Sequence, residues 1–255
     1  MDTNTQPIPS GETAASESIW SGIYRVFYEP SILFAGLTDK KAWLVPLIIV
    51  AIVGGIIGQM TRPLYLKDML PIAEARLEKY RQYIDEQRYN EARANIEKAR
   101  AEAKENAYKW YFPLISLGIP LIFFLIIALI AVLFGKVFFG GKAGFWVVLN
   151  VVAFAALIGL LGDVFRGVMM LAKDTMMVYT GLGLLKPVDD GTFWYYLFRQ
   201  IDAFSLWRIG VTAIGLGVVY KMSTIRFLLV LLPFWLVFIC LVAFANIFTA
   251  GSIIY

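Results

Sequence analysis

The 255-residue chain contains no histidine. That excludes His-based catalytic triads, histidine metal ligands and histidine pH switches. Its one cysteine, Cys240, lies inside an apolar run, so no intramolecular disulfide can form and the redox compartment is not readable. Charge is scarce at 16% of residues, and the net charge of +4 is spread along the chain, so no nucleic-acid footprint exists. No serine has a histidine to act as its base, and Asp189-Asp190 beside Gly191 reads as a turn. No catalytic constellation, metal site or cofactor is expected.

What fills the space is hydrocarbon. The chain is 59% hydrophobic with mean hydropathy +0.69, above the roughly 45–50% apolar content of soluble domains. Between Lys109 and Lys136 lie 26 uncharged residues, and between Lys142 and Asp163 lie 20 more. About 20 apolar residues in an α-helix cross the roughly 30 Å hydrocarbon core. The runs are continuous rather than alternating, which selects helices over a barrel. The sequence therefore predicts an all-α, polytopic integral membrane protein with five transmembrane helices at 42–60, 111–135, 144–162, 203–220 and 227–249. The glycine-rich, acid-free segment between Lys136 and Phe145 forms a tight turn between the second and third spans.

Residues 1–15 are rich in Pro, Ser, Thr and Gly, read as a disordered tail, and lack the basic and apolar regions of a signal peptide. At 16–37, Ile19, Trp20, Ile23, Tyr24 and Phe27 recur at helical spacing, and Pro30 kinks or restarts the helix. This is expected to be an interfacial amphipathic helix, with partner docking as the alternative. Within the first span, Gly54 and Gly58 form a small-residue face expected to pack inside the bundle.

Residues 62–110 form the markedly polar block, with 11 Lys/Arg against 9 Asp/Glu over 62–109. Leu70, Ala73, Leu77, Tyr80 and Ile84 make one apolar stripe, and Tyr89, Ala92, Ile96, Ala99, Ala103 and Ala107 make another in shifted phase. The shift predicts an extramembrane helical hairpin with its break near 86–90, its surface laced by pairs such as Glu78–Arg81 and Glu97–Arg100. A solvated hairpin folded on its own seam is the simplest account. The alternative is a docking element that reads a partner with its charged faces and with Tyr80, Tyr83 and Tyr89 near the tip.

Residues 163–200 are mixed, with four methionines at 169, 170, 176 and 177, and read as an interfacial region with one or two short helices. Asp163 and Arg208 fall at similar membrane depth and are expected to pair, against the alternatives of a local Asp163–Arg166 pair and of Arg208 snorkelling to headgroups. Asn150, Asp163, Arg166, Arg208 and Asn246 are the polar groups from which a transport pathway would have to be built.

Several stretches together resemble the Yip family of five-span membrane proteins: Arg25-Val-Phe-Tyr-Glu-Pro30-Ser-Ile-Leu-Phe34, Gly140-Gly141-Lys-Ala-Gly-Phe145, and Asp202-Ala-Phe-Ser-Leu-Trp207 followed by Gly215. The resemblance covers about 16–60 and 111–250; the charged block at 62–109 departs from the family's short connection. It implies a non-enzymatic accessory or scaffold subunit of a membrane complex, associated with an ABC-type export system in a bacterial cytoplasmic membrane. The alternatives are a small-solute channel or carrier, and a trafficking adaptor binding a small GTPase. Expected partners are the lipid bilayer and other membrane or extracytoplasmic proteins, with a homo-oligomer also open and nucleic acid excluded. The short basic turns at Lys142 and Lys221 suggest that they and the N-terminus are cytoplasmic, although a bare count of positive charge favours the polar block.

Overall fold

The computed structural model describes residues 19–37, 39–104, 112–186 and 191–251. The tail at 1–15, Ala107 and the Asp189-Asp190 turn lie outside the described residues. Among those described, the chain is all-α, with five helices long and apolar enough to cross a bilayer. It is an integral membrane protein.

Two short helices come first, α1 (Ile19–Tyr28) and α2 (Pro30–Gly36). Pro30 restarts the helix at its first turn, where a missing N–H is tolerated. The pair does not simply lie in the interface plane. Val26 and Leu33 are fully buried in the main core, while Trp20, Tyr24, Tyr28 and Ile32 stay on the outside. The outward row keeps the aromatic character expected at an interface. Its inward row is part of the bundle.

The first span is the start of a much longer element. Helix α3 runs unbroken from Leu44 to Tyr80, 37 residues, so the expected boundary at 60–62 does not exist. Pro63 and Pro71 each delete a helical donor within it. Helix α6 (Phe145–Lys173) and the residues just after it brace the helix on either side of Pro63. Gly167 accepts Ile57 in close contact, Lys67 pairs with Asp174, and Asp68 accepts from the Thr175 hydroxyl at 2.7 Å and the Met176 N–H at 2.6 Å. At the other end the Trp43 N–H donates to Asn150 Oδ1 at 2.9 Å. Levels 43, 57 and 67 thus match 150, 167 and 174, and the two helices run parallel. The expected packing of the Gly54 face within the bundle is not made: a Cβ there would meet nothing within 4 Å, and Gly58 is exposed.

Beyond the bilayer α3 continues as an arm. From Leu64, the end of the apolar window, to Tyr80 is about 24 Å at 1.5 Å per residue. The chain reverses through a 3-10 turn at Arg81–Tyr83 and extended Ile84, then returns as α4 (Glu86–Lys104). The break falls earlier than 86–90 because Asp85 caps α4, its Oδ1 accepting the Arg88 N–H at 2.8 Å. The seam holds Ala73, Leu77, Tyr89, Ala92 and Ile96 with Leu70 and Ile84 alongside. Tyr80 lies off it. Glu78–Arg81 pairs at 3.9 Å, but Glu97 pairs with Arg93 at 3.5 Å, because Arg100 reaches across the hairpin to Glu74.

Helix α5 (Phe112–Phe139) returns through the membrane and ends on Gly140, whose φ of +60° suits glycine; the Gly141 N–H then caps Gly135 O at 2.9 Å. Helix α6 is the centre of the bundle, with 67% of its apolar window buried against 17% for the last span. It extends eleven residues past the expected end at 162 before Asp174, at φ 51°, stops it. A 3-10 turn at Leu182–Leu185 and α7 (Phe193–Phe198) follow. Helices α8 (Ala203–Tyr220) and α9 (Thr224–Gly251) complete the chain. Gly162 lies against Phe204, Gly159 against Arg208 and Gly215 against Val151, so α8 is antiparallel to α6.

Candidate functional site

The connection from α6 to α8 folds over the arm end of the bundle and leaves a polar cavity of about 420 Å³ beneath it. Its wall draws on α6 (Gly159, Asp163, Arg166, Met170), on the connection (Tyr179, Thr180, Tyr196, Arg199), on α8 (Asp202, Ser205, Arg208) and on Asn246 of α9. Four of the five polar residues from which a pathway could be built therefore converge. Asn150 does not. It is buried at the opposite end, its amide donating to Asp39 O at 2.8 Å while its Oδ1 accepts from Trp43.

The expected Asp163–Arg208 contact is replaced by another pairing. Arg166, one helical turn beyond Asp163, donates from Nη2 to Asp163 Oδ1 at 2.5 Å and from Nη1 to Asp202 Oδ2 at 2.5 Å. The local alternative wins because residues i and i+3 share a helix face. The antiparallel approach of α8 then delivers the second carboxylate. Asp202 also caps α8, its Oδ1 accepting the Ser205 N–H at 2.7 Å, and its side chain is only 7% exposed.

Arg208 sits one level deeper, its guanidinium close over Gly159, where a Cβ would crowd it. It is half-buried and lines the cavity. Among the described residues no carboxylate lies within 4.0 Å of its guanidinium and none of its nitrogens makes a hydrogen bond. Arg199, at the exposed side, donates to the Tyr195 hydroxyl at 3.2 Å and packs over the Tyr179 and Tyr195 rings at 5.6 and 5.3 Å, again without a carboxylate. The sequence offered no signal for Arg199. Asp202 was visible as the start of a span, but its role as Arg166's partner required the helix register.

The arm grips this connection. Besides the Asp68 and Lys67 contacts at its base, Arg76 donates to the Tyr196 hydroxyl at 3.1 Å.

The tip tyrosines divide. Tyr80 and Tyr83 are 42% and 74% exposed with ring centres 6.4 Å apart. Tyr89 is withdrawn into the seam at 9% exposure, its hydroxyl donating to Glu78 Oε1 at 2.6 Å and its ring lying under Arg81 at 4.8 Å. The hydrogen bond to Glu78, and secondarily burial, raises the Tyr89 phenol above its ordinary value.

The motif positions have packing roles. Phe34 and Val151 close on Gly215, Trp207 meets Phe27 edge-on at 5.8 Å, Gly135 and Gly141 both receive the Tyr220 ring, and Pro30 starts the helix that carries Phe34. Together they seat α1 and α2 against α6 and α8 and close the α5–α6 turn.

Comparison of the chain with known protein families, characterised proteins and solved structures finds no match.

Proposed function

We propose that the chain is a non-enzymatic accessory or scaffold subunit of a larger membrane complex, with the projecting arm as its docking element. The observation that carries this reading is the continuity of α3 from Leu44 to Tyr80. A surface held on the same helix as a transmembrane span has a fixed height and direction, so docking loses little orientational entropy. The seam satisfies the arm's own apolar faces and leaves its outer surface charged, which favours selectivity and fast association. Tyr80 and Tyr83 provide adjacent exposed rings of a type enriched at binding hot spots. The motif resemblance to the Yip family supports the narrower placement in an ABC-type export system of a bacterial cytoplasmic membrane, with the arm on the outer side.

The test is affinity purification of the tagged full-length chain in mild detergent, with mass spectrometry of what accompanies it. A membrane or extracytoplasmic protein is expected at fixed stoichiometry. In a Tyr80→Ala/Tyr83→Ala variant its affinity is expected to fall about tenfold or more, the loss of about 1.4 kcal/mol or above that hot-spot aromatics show. An accompanying protein retained at full affinity by this variant removes the tip from docking. The absence of any such protein rejects the scaffold reading.

A further inference from the structure

The charge in the cavity is not balanced. Three arginines and two aspartates line it. Both aspartates are engaged by Arg166. That leaves Arg208, on a transmembrane helix, and Arg199 at the outer side, each with no carboxylate in ion-pair contact among the described residues, although Asp163 and Asp202 attract Arg208 from farther off. A charge inside a bilayer protein is costly unless paired, and such groups mark binding sites. Neutral donors complete the wall: the hydroxyls of Thr180 and Ser205 and the amide of Gln200. A guanidinium with free N–H groups, flanked by such donors, matches the oxygens of a phosphate.

Depth narrows the choice further. Lys67 and Asp174 pair just above the bundle, and the wall descends α6 from Met170 to Gly159, about 16 Å at 1.5 Å per residue. The apolar window of α3 ends at Leu64, three residues before Lys67, so the cavity opens at the arm end of the apolar spans. The volume, about 420 Å³, is within the range of ligand sites and too large for a halide alone.

We propose that this cavity binds a phosphate-bearing anion, with Arg208 as its direct ligand and Arg199 attracting it at the outer side. The phosphate belongs either to the headgroup of an anionic lipid or to a free phosphate entering from the arm face. This site is independent of any protein docking on the arm.

The test uses the full chain, stripped of lipid in neutral detergent, with thermal unfolding followed by tryptophan fluorescence. It is titrated with short-chain phosphatidylglycerol, short-chain phosphatidylcholine, inorganic phosphate and sodium chloride at matched ionic strength. A saturable rise in Tm with phosphatidylglycerol, at least tenfold tighter than with phosphatidylcholine, identifies the lipid source. A saturable rise with inorganic phosphate, at least tenfold tighter than with chloride, identifies the free one. Arg208→Gln is expected to weaken either response tenfold or more and to melt no lower than the unliganded wild type, because it removes a charge with no carboxylate in contact among the described residues. Arg199→Gln, at an exposed position, is expected to weaken binding severalfold. Absence of a saturable response in the wild type overturns the proposal, and so does an undiminished response in both variants. Should Arg208→Gln fail to fold, the wild-type titration and Arg199→Gln decide on their own.

Discussion

Arg166 in the middle of the chain and Asp202 at the head of α8 meet at 2.5 Å, and this contact ties the central helix to the connection that covers the cavity. The Asp202 side chain is 7% exposed and that of Arg166 27%. Breaking such a pair leaves an uncompensated charge, so Asp202→Ala is expected to destabilise the protein by about 3–5 kcal/mol. Asp163, 56% exposed, holds the same guanidinium from the wet side, and Asp163→Ala is expected to cost less than about 1 kcal/mol. Equilibrium unfolding in mixed micelles gives both values. Asp163 and Arg208 form no ion pair but attract each other through space, so a cycle of Asp163→Asn and Arg208→Gln is expected to show a coupling below about 1 kcal/mol.

At the opposite end Tyr220 wedges its ring against Gly135 and Gly141. A methyl group at either glycine overlaps the ring. Gly141→Ala and Gly135→Ala are each expected to lower stability by about 1–3 kcal/mol, as overpacking does. The Tyr220 hydroxyl is buried without a hydrogen-bond partner among the described residues, so Tyr220→Phe is expected to be neutral or stabilising. Thermal unfolding of the three variants in one detergent checks the ordering.

The arm has a pH limit. The Tyr89 phenol is raised by its hydrogen bond to Glu78, so the bond's contribution is complete below the ordinary tyrosine value of about 10 and is lost as pH climbs through the raised one. Spin labels on exposed Ala75 and Ala101, on the two helices of the arm, are expected to show a narrow distance distribution at pH 8 that broadens above about pH 10. In Tyr89→Phe the distribution should be the same at both pH values.

Topology is open to direct labelling. With Cys240 changed to Ser, Asn95→Cys on the arm is expected to react with an impermeant maleimide in intact cells, while Lys142→Cys in the α5–α6 turn reacts only after permeabilisation. The reverse pattern would place the arm in the cytoplasm and turn the bundle over.

Fold class was legible in the sequence because bilayer thickness converts directly into a length of uncharged chain, and five such lengths are present. The hairpin seam was legible too, since apolar residues at helical spacing declare the buried face: Leu77, Ala92 and Ile96 read the same in both views. The polar cavity was legible only as separate residues scattered from 163 to 246. Sequence spacing pairs Asp163 with Arg166 inside one helix and is silent about which carboxylate crosses from another.

The sequence by itself determined that this chain is helical, membrane-spanning and equipped with a charged arm, because each of those properties follows from local periodicity and the cost of burying charge. Tertiary structure decided that α3 continues through two prolines and carries the arm on the first span, with α6 and the residues just after it bracing the helix on either side of Pro63. It also decided that Tyr89 belongs to the seam and not to the surface, because which face of α4 is buried depends on how the hairpin closes. Above all it decided which of the two arginines makes no ion-pair contact among the described residues. Spacing within α6 gives Asp163 to Arg166, but only the register of α6 against α8 gives it Asp202 as well and leaves Arg208, one level deeper, lining the cavity.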